Sequence, residues 1–227
     1  MASVKKRTTT AAIAVAVAVL VIDQLSKFWI KTHFYLGEDF EVLPFFHIRF
    51  IENNGMAFGM ELGSKLLLTA FRIVLVGFLV WYLRRIISLA RVPLRYVVAV
   101  ALVAAGAFGN IIDCVFYGEI FTNPYPPVVA QLVPFGQGYG SWFHGLVVDM
   151  LYFPLFSFRW PEWMPVVGGD MFSFFDPVFN IADSAITVGM ALIIFFYSKY
   201  LGRYYYSPGA EEPGKNDAKS NAEKPCK

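Results

Sequence analysis

Four long apolar stretches limit what this chain can fold into. They cover about residues 11–31, 66–84, 96–117 and 177–198. A helix needs roughly 20 mostly apolar residues to cross the ~30 Å hydrocarbon core of a bilayer. Each stretch therefore predicts a transmembrane helix.

The composition supports a membrane protein. Hydrophobic residues make up 57% of the chain and charged residues 16%, with a mean hydropathy of +0.53. Soluble proteins usually carry about 25% charged residues. These values exclude an intrinsically disordered chain, a basic nucleic-acid-binding domain and a disulfide-rich scaffold. The two cysteines, Cys114 and Cys226, lie far apart in unlike contexts, so we predict no structural disulfide.

The first apolar stretch is also similar to a secretory signal peptide, because Lys5, Lys6 and Arg7 precede it. No A-x-A cleavage site follows, and the apolar pattern resumes after Lys27. We therefore expect an uncleaved helix. No lipobox cysteine follows either, so we do not expect the chain itself to be a lipoprotein.

The distribution of lysine and arginine predicts the orientation, because cytoplasmic segments carry an excess of both. The segments 32–64 and 118–176 contain one arginine each and several acids. Basic residues cluster instead at both termini and between the second and third stretches. We expect both termini in the cytoplasm and both long loops outside. Residues 1–206 form one predicted domain, and the polar segment 207–227 is a predicted disordered tail.

The outer loops predict a small β element and a lid. In residues 42–50 apolar side chains largely alternate, and Asn54-Gly55 is a strong hairpin signal. The segment 118–176 is too long for a simple connection. It contains tryptophans of the kind found at lipid headgroups: Trp142, Trp160 and Trp163. The predicted fold class is an all-α membrane protein with four transmembrane helices, a small extracytoplasmic β-cradle and an interfacial loop or lid.

Ionisable residues within membrane helices are energetically costly and mark functional sites by default. The predicted spans contain Asp23, Lys27, Arg72, Asp113 and Asp183. At about 1.5 Å per residue, the acids and the arginine lie roughly 6–12 Å below the outer helix ends. This shared layer predicts a single site near the outer face. Asp23 and Lys27 are four residues apart on one helix face and are predicted to pair.

A structural role is the alternative interpretation of this layer, because polar side chains also hold membrane helices together. It applies best to Asp23, Lys27 and Asn110 taken singly. Asp183 favours a functional role, because a carboxylate is a poor neutral contact between helices. Gly106 shares a face with Asn110 and, with nearby alanines, predicts close helix packing.

Asp149 interrupts a further apolar run, GLVVDMLYF, which is too short to span the membrane. We interpret this run as a strand or a dipping segment at the outer face. Apolar neighbours would raise the pKa of its carboxyl group. With a second acid it would share a proton, and the pair could act as general base and general acid on a carbonyl group. The spacing leaves Asp183, Asp113 and Asp176 open as the partner.

Other kinds of site have less support. His33, His47 and His144 form no zinc-binding pattern, and the sequence has no G-x-S-x-G motif. Cys114, in an apolar helix, is interpreted as an inert core thiol. Two other functions compete with proteolysis: a proton-coupled transporter that uses the same acids, and a noncatalytic scaffold. The almost wholly apolar inner halves of the first and third helices disfavour a transporter.

Five motifs in order resemble the lipoprotein signal peptidases, also called signal peptidase II. They are DQLSK at 23–27, NNGMAFG at 53–59, GAFGNIID at 106–113, VVDM at 147–150 and FNIADSAI at 179–186. The resemblance covers about residues 11–200, and the order of the motifs makes it specific. It implies an intramembrane aspartic endopeptidase that cuts a prolipoprotein before its diacylglyceryl-modified cysteine. It implies no metal or organic cofactor.

The resemblance also implies roles for individual residues. The catalytic aspartates of the family match Asp149 and Asp183. Residues that shape or support the family's site match Asp23, Lys27, Asn54, Gly106, Asn110, Asp113, Asn180 and Ala182. The outer β-cradle of the family matches the region around 42–59. Family members are blocked by the cyclic peptide globomycin, so we expect globomycin-type inhibitors to bind. We further expect a monomer in the bacterial cytoplasmic membrane, in contact with membrane lipids and without nucleic-acid partners.

Two features depart from the family pattern. Many members carry an arginine after GNIID, where this chain has Cys114. We hypothesise that Arg72, at a comparable depth on the second helix, supplies a positive charge for Asp113; the alternative is that Arg72 extends outward to the interface. The second departure is the insertion-like stretch 119–145, which lengthens the approach to Asp149.

Overall fold

The computed structural model describes residues 2–54, 65–89, 92–154, 156–174 and 176–200. Its long helices are α1 (Ala2–His33), α2 (Lys65–Leu89), α3 (Leu94–Ile112) and α4 (Ile181–Tyr197). Helix α3 continues without a break through a π-helical turn, Asp113–Tyr117, and a last α-helical turn, Gly118–Ile120. Each of the four predicted stretches therefore contains a long helix.

The helices differ in whether they are long enough to cross a membrane. Among the described residues, Ala2–His33, Lys65–Ser88 and Leu94–Ile120 are long and apolar enough to cross one. Helix α4 is apolar but has 17 residues, which extend about 26 Å at 1.5 Å per residue. The prediction that this helix begins at residue 177 is wrong, because Val178–Phe179 form a strand and Asn180 is the N-cap.

Helix α3 lies at the centre and packs against α1, α2 and α4. Its small residues explain the close approach: a Cβ atom added at Gly106 would collide with the carbonyl oxygen of Ala182 on α4. The predicted small-residue packing is thus confirmed. Large apolar side chains on the other helices point away from the protein, including Leu25 on α1, Phe71 on α2 and Phe195 on α4. These exposed faces suit contact with lipid.

The strands are β1 (Asp39–Leu43), β2 (Phe46–Asn53), β3 (Val147–Tyr152), β4 (Phe156–Arg159), β5 (Met171–Phe174) and β6 (Val178–Phe179). Four of them form an antiparallel sheet in the order β1-β2-β3-β6. The predicted small β element is confirmed, and it is larger than the all-α description implies, because β3 and β6 join β1 and β2 in one sheet. The first hairpin turns at Pro44-Phe45. The predicted turn at Asn54-Gly55 lies at the edge of the described residues, and 55–64 are outside them.

The segment after α3 is held against the end of that helix by backbone hydrogen bonds. Gly138 N–H donates to Glu119 O at 3.1 Å, and Gly145 N–H donates to Cys114 O at 2.9 Å. Beyond β3, strands β4 and β5 pair with each other as a separate hairpin. Its tip carries Trp163, which is 81% exposed. The interpretation of 118–176 as a lid stays a prediction, and this segment includes the strands β3, β4 and β5.

The pairing of β3 with β6 returns the chain to the sheet before α4 begins. Leu151 lies opposite Phe179, and the next residue, Asn180, starts α4. The first turn of α4 is consequently fixed beside the middle of β3. This junction brings the two motifs VVDM and FNIADSAI together.

Candidate active site

Asp149 lies in the middle of β3 and is buried, with 1% of its surface exposed. Asn53 on β2 donates from Nδ2 to Asp149 Oδ2 at 3.2 Å, and Asn180 donates from Nδ2 to Oδ1 at 2.6 Å. Burial raises the pKa of the Asp149 carboxyl to about 7, and the negative charge of Asp183 adds to this effect. The interpretation of this run as a strand is confirmed.

Asp183 lies in the first turn of α4, where a capping box fixes it. Its backbone N–H donates to the side-chain Oδ1 of Asn180 at 2.8 Å, and its own carboxylate accepts from Asn180 N–H at 3.4 Å. A capping box satisfies N–H groups that would otherwise lack a partner at a helix start. Asn110 on α3 donates to Asp183 Oδ1 at 2.8 Å. The side chain is thus held from two directions.

The two buried amides Asn110 and Asn180 connect the acids. Asn180 Nδ2 lies 3.2 Å from Asn110 Oδ1, and Asn110 Oδ1 also accepts from Lys27 Nζ at 2.7 Å. Because Lys27 is a donor, it fixes the oxygen of Asn110 towards itself and turns the amide nitrogen towards Asp183. An unbroken chain of hydrogen bonds therefore leads from Lys27 to Asp183 and, through Asn180, to Asp149.

Lys27 lies between two carboxylates in the interior. Its Nζ is 2.9 Å from Asp23 and 2.7 Å from Asp113, and all three side chains are fully buried. The predicted pairing of Asp23 with Lys27 is confirmed. Asp23 also accepts the backbone N–H of Ala182 at 2.9 Å, at the start of α4. A single ion cluster thereby joins α1, α3 and α4.

The two other candidate partners of Asp149 are engaged elsewhere. Asp113 is paired with Lys27. Asp176 accepts from the Tyr152 hydroxyl at 3.0 Å. Asp183 is the acid that shares Asn180 with Asp149 and raises its pKa. Geometry therefore favours Asp183 as the partner.

The hydrogen-bond partners of Asp149 and Asp183 contrast with those of Asp23 and Asp113. The hydrogen-bond partners of Asp149 and Asp183 described above are neutral amides, whereas the nearby ammonium of Lys27 is bound to Asp23 and Asp113. Within the described parts of the chain, no three His, Cys, Asp or Glu side chains gather where they could hold a metal ion.

Comparison with known proteins identifies the family. The sequence pattern of signal peptidase (SPase) II matches residues 15–199, which is most of the chain. The chain belongs to the signal peptidase II family. A lipoprotein signal peptidase of Porphyromonas gingivalis is 48% identical over 82% of each chain. One from Staphylococcus aureus is 31% identical over 84% of this chain and 89% of its own.

Solved structures agree with this assignment. A bacterial membrane enzyme determined by the in meso method at 1.9 Å aligns with a TM-score of 0.54 and 32% identity. It covers 81% of this chain and 89% of its own length. A second such enzyme, determined at 2.3 Å, aligns with a TM-score of 0.56 and 29% identity over 88% and 94%. As a signal peptidase II, the protein is a multi-pass membrane peptidase that removes signal peptides from prolipoproteins.

The structure corrects the interpretation of Arg72 in this signal peptidase II. The cation against Asp113 is Lys27, so Asp113 does not lack a positive partner. Arg72 donates from Nη1 to Cys114 Sγ at 3.4 Å. Its guanidinium therefore lies beside Cys114, which occupies the position after GNIID discussed above.

Asn54 lies apart from the amide and carboxylate network. It is exposed, and its Oδ1 lies 3.5 Å from Lys65 Nζ at the start of α2. Lys65 Nζ also donates to His144 O at 2.6 Å. The remainder of the NNGMAFG motif, from residue 55, lies outside the described residues.

Sequence reasoning missed several residues that surround the site: Gln24, Lys31, Glu52 and Asn53. Gln24 donates to Asp113 Oδ1 at 2.9 Å. Asn53 was missed because its neighbour Asn54, in the same motif, was taken as the site residue. Lys31 lies four residues after Lys27, so the helical repeat already placed it on the same face; the predicted span ended at that residue.

Proposed function

We propose that this signal peptidase II is an aspartic endopeptidase in which Asp149 and Asp183 activate a water molecule. One observation carries the proposal: a single amide, Asn180, bonds to the Asp149 carboxylate at 2.6 Å and to the Asp183 backbone N–H at 2.8 Å. Two acids from separate elements are thus tied to one buried side chain. The raised pKa of Asp149, about 7, supports a proton shared by the pair near neutral pH.

The chemistry uses one ionised and one protonated carboxyl. The ionised carboxylate takes a proton from water as the water oxygen bonds to the scissile carbonyl carbon. The protonated carboxyl gives its proton to the carbonyl oxygen. The tetrahedral intermediate then collapses: the first carboxyl returns its proton to the leaving nitrogen as the carbon–nitrogen bond breaks, and the second carboxylate recovers a proton from a hydroxyl of the intermediate. The pair ends with one proton, as it began.

We propose that the substrate is a prolipoprotein cut immediately before its diacylglyceryl-modified cysteine. A buried acid on β3 beside a partly buried acid at the start of an apolar helix suits a substrate whose lipid chains stay in the bilayer. Aromatic side chains of the outer segment, including Trp142 and Trp163, are exposed and suit the headgroup region. Globomycin-type cyclic peptides are expected to compete for the same place.

The remaining polar residues support the pair in this proposal. Lys27, held by Asp23 and Asp113, orients Asn110. Asn110 and Asn180 then orient the two acids. Gly106 and Ala182 let α3 and α4 touch, while Asn54 and Arg72 are assigned to the rim near the substrate. Lys27 acts through other residues and is a positioning residue.

The proposed topology has four membrane spans, with α4 as the fourth, and both termini in the cytoplasm. The acids then lie near the outer face, where the sheet formed by both outer loops covers them. We propose a monomer with one domain over residues 1–206 and a cytoplasmic tail over 207–227.

A cleavage assay tests the proposal. Purified protein is incubated with a precursor that carries the diacylglyceryl group and with the same precursor lacking it. We expect cleavage of the lipidated form alone, and its loss in Asp149→Asn and in Asp183→Asn. Asp176→Asn is the matched control, because this acid bonds to Tyr152 outside the pair. Normal cleavage by both folded active-site variants would mean that the acids only hold the helices together.

A further inference from the structure

Three charged residues form a stripe along one face of α1: Asp23, Lys27 and Lys31, spaced four residues apart. Residues at this spacing lie above one another on a helix. Each contacts a different element. Asp23 binds the start of α4 through Ala182 N–H, Lys27 binds Asn110 and Asp113 of the α3 segment, and Lys31 binds Glu52 of β2. The stripe thus connects α1 to each part of the protein that carries or supports an acid of the pair.

Lys31 is fully buried together with its partner. Its side chain has no exposed surface, and only 3% of the Glu52 side chain is exposed. Three aromatic rings surround its ammonium group, with centroids 5.9 Å away for Phe50, 5.3 Å for Phe121 and 5.0 Å for Tyr139. A charge removed from water in this way needs its partner and the ring faces to remain stable. Lys31 therefore has little freedom to move.

Glu52 and Asp149 lie on opposite faces of the same pair of strands. Ile51 is opposite Asp149 and Glu52 is opposite Val148 in the register of β2 and β3. Neighbouring residues of a strand point to opposite faces. Asn53, which follows Glu52, accordingly points to the Asp149 side and donates to it at 3.2 Å. The Lys31–Glu52 ion pair therefore lies on one face of the sheet, and the carboxyl group of Asp149 lies on the other face.

We propose that Lys31 and Glu52 form a positioning pair that sets the place of β3 along α1, and with it the distance between Asp149 and Asp183. The inference rests on the proposed function of these two acids. Asp183 is attached to the same α1 stripe by another route, since Asp23 holds the first turn of α4. The positions of both acids are thereby set relative to the same helix, α1. Loss of Lys31 removes the salt bridge between α1 and β2 but leaves the contact of Asp23 with the start of α4.

Loss of the Lys31–Glu52 ion pair should change the pH dependence of kcat in a specific way. The groups facing Asp149 are Asp183 from α4 and Lys27 from α1, together with the amides of Asn53 and Asn180. Those facing Lys31 are Glu52 from β2, Asp113 from the end of α3 and the ring of Tyr139. If β3 shifts, Asp149 becomes better hydrated and more distant from Asp183, and both changes lower its pKa. A purely structural ion pair would leave this pKa unchanged in the folded enzyme.

The test uses the full chain and the double variant Lys31→Met/Glu52→Met. Two apolar side chains replace the pair without leaving a buried charge unpaired, an exchange that is often neutral for stability. With the lipidated precursor we expect kcat to fall at least about tenfold, because small misplacements of reacting groups are costly. We expect KM to stay within about twofold and the alkaline limb of the kcat profile to move to lower pH.

Controls separate positioning from stability. Tyr96→Phe removes another buried polar contact, the 2.6 Å hydrogen bond between the Tyr82 and Tyr96 hydroxyls, and should change neither kcat nor the pH profile. Glu52→Gln keeps the size of the side chain and should shift the profile in the same direction as the double variant. If the double variant does not fold, the pH profile of Glu52→Gln tests the inference. Failure of both to fold would assign the pair a structural role and overturn the inference.

The outcomes also distinguish this inference from the proposed function. Normal cleavage by folded Asp149→Asn would refute the aspartate mechanism itself. If Asp149→Asn is inactive while the pair variants keep the wild-type kcat and pH profile, only the positioning role is wrong. A lower kcat with a shifted alkaline limb, alongside an inactive Asp149→Asn, supports both.

Discussion

Asn180 donates a 2.6 Å hydrogen bond to Asp149 while its own side-chain oxygen caps the helix that carries Asp183. One amide therefore performs two tasks: it starts α4 and holds the acid of β3. The same side chain is fully buried, so water cannot replace either contact. The distance between the two acids is consequently linked to where α4 begins.

Replacement of Asn180 by alanine should affect activity more than stability. Loss of a helix cap usually costs about 1 kcal/mol, but Asp149 also loses its shortest hydrogen bond. We expect kcat to fall at least about a hundredfold, as misplacement of reacting groups can do. Steady-state cleavage and thermal unfolding in detergent would measure the two effects. A decrease in activity that merely follows the unfolded fraction would contradict this expectation.

Cleavage should decline as the pH rises through about 7. The pKa of Asp149 is raised to about 7 by burial and by Asp183, and above this value the pair loses the proton that the general acid donates. The kcat profile of the wild type with a lipidated precursor would record this limb. Its midpoint belongs to the pair as a unit. Full activity well above this range would mean that no shared proton is needed.

Asp149→Asn should make the stability of the protein less dependent on pH. Because the folded-state pKa is above the unfolded value, the contribution of this carboxyl group to stability is greatest below pH 3.8 and is lost as the pH rises through about 7. The difference between the two values corresponds to roughly 4 kcal/mol. Unfolding temperatures at mildly acidic and alkaline pH should differ less in the variant than in the wild type. Exposed Asp170→Asn serves as the control and should keep the wild-type difference.

Gly106→Ala should destabilise the helix bundle, whereas Gly77→Ala should not. A Cβ atom at Gly106 would meet the Ala182 carbonyl, which is backbone and cannot move aside, but one at Gly77 meets nothing within 4 Å. Overpacking of this kind costs about 1–3 kcal/mol, and alanine in a helix is favoured over glycine by up to about 1 kcal/mol. Thermal unfolding of both variants measures the contrast. Equal stabilities would show that α3 and α4 separate easily.

Arg72→Met should lower activity or stability clearly more than Cys114→Ala. The guanidinium brings a positive charge to the polar layer, beside Cys114 Sγ at 3.4 Å, whereas the buried thiol contributes mainly packing. Cleavage and unfolding of the two purified variants would compare them. Equal, negligible effects would remove Arg72 from the site.

The polar layer was predictable because charges in an apolar helix stand out. Asp23, Lys27, Asp113 and Asp183 were recognised from hydropathy and helical spacing alone. The partner of Asp149 was not, because spacing along the chain does not reveal that β3 pairs with β6. The start of α4 was missed for a related reason: Val178 and Phe179 are apolar enough for a span, but β3 offers them backbone hydrogen bonds. Lys31 and Glu52 were missed because their significance depends on a contact between distant segments.

The pairing of β3 with β6 also separates the positions of the two acids from changes in the segment that connects these strands. Tyr152 is paired with Val178, so residues 153–177 leave and re-enter the sheet at one fixed point. The entropy of closing such a loop grows slowly with its length. Additional residues near Val166, which is fully exposed, therefore leave both acids where they are. The connection between the two halves of the candidate active site is thus a natural insertion point for a reporter or an affinity label.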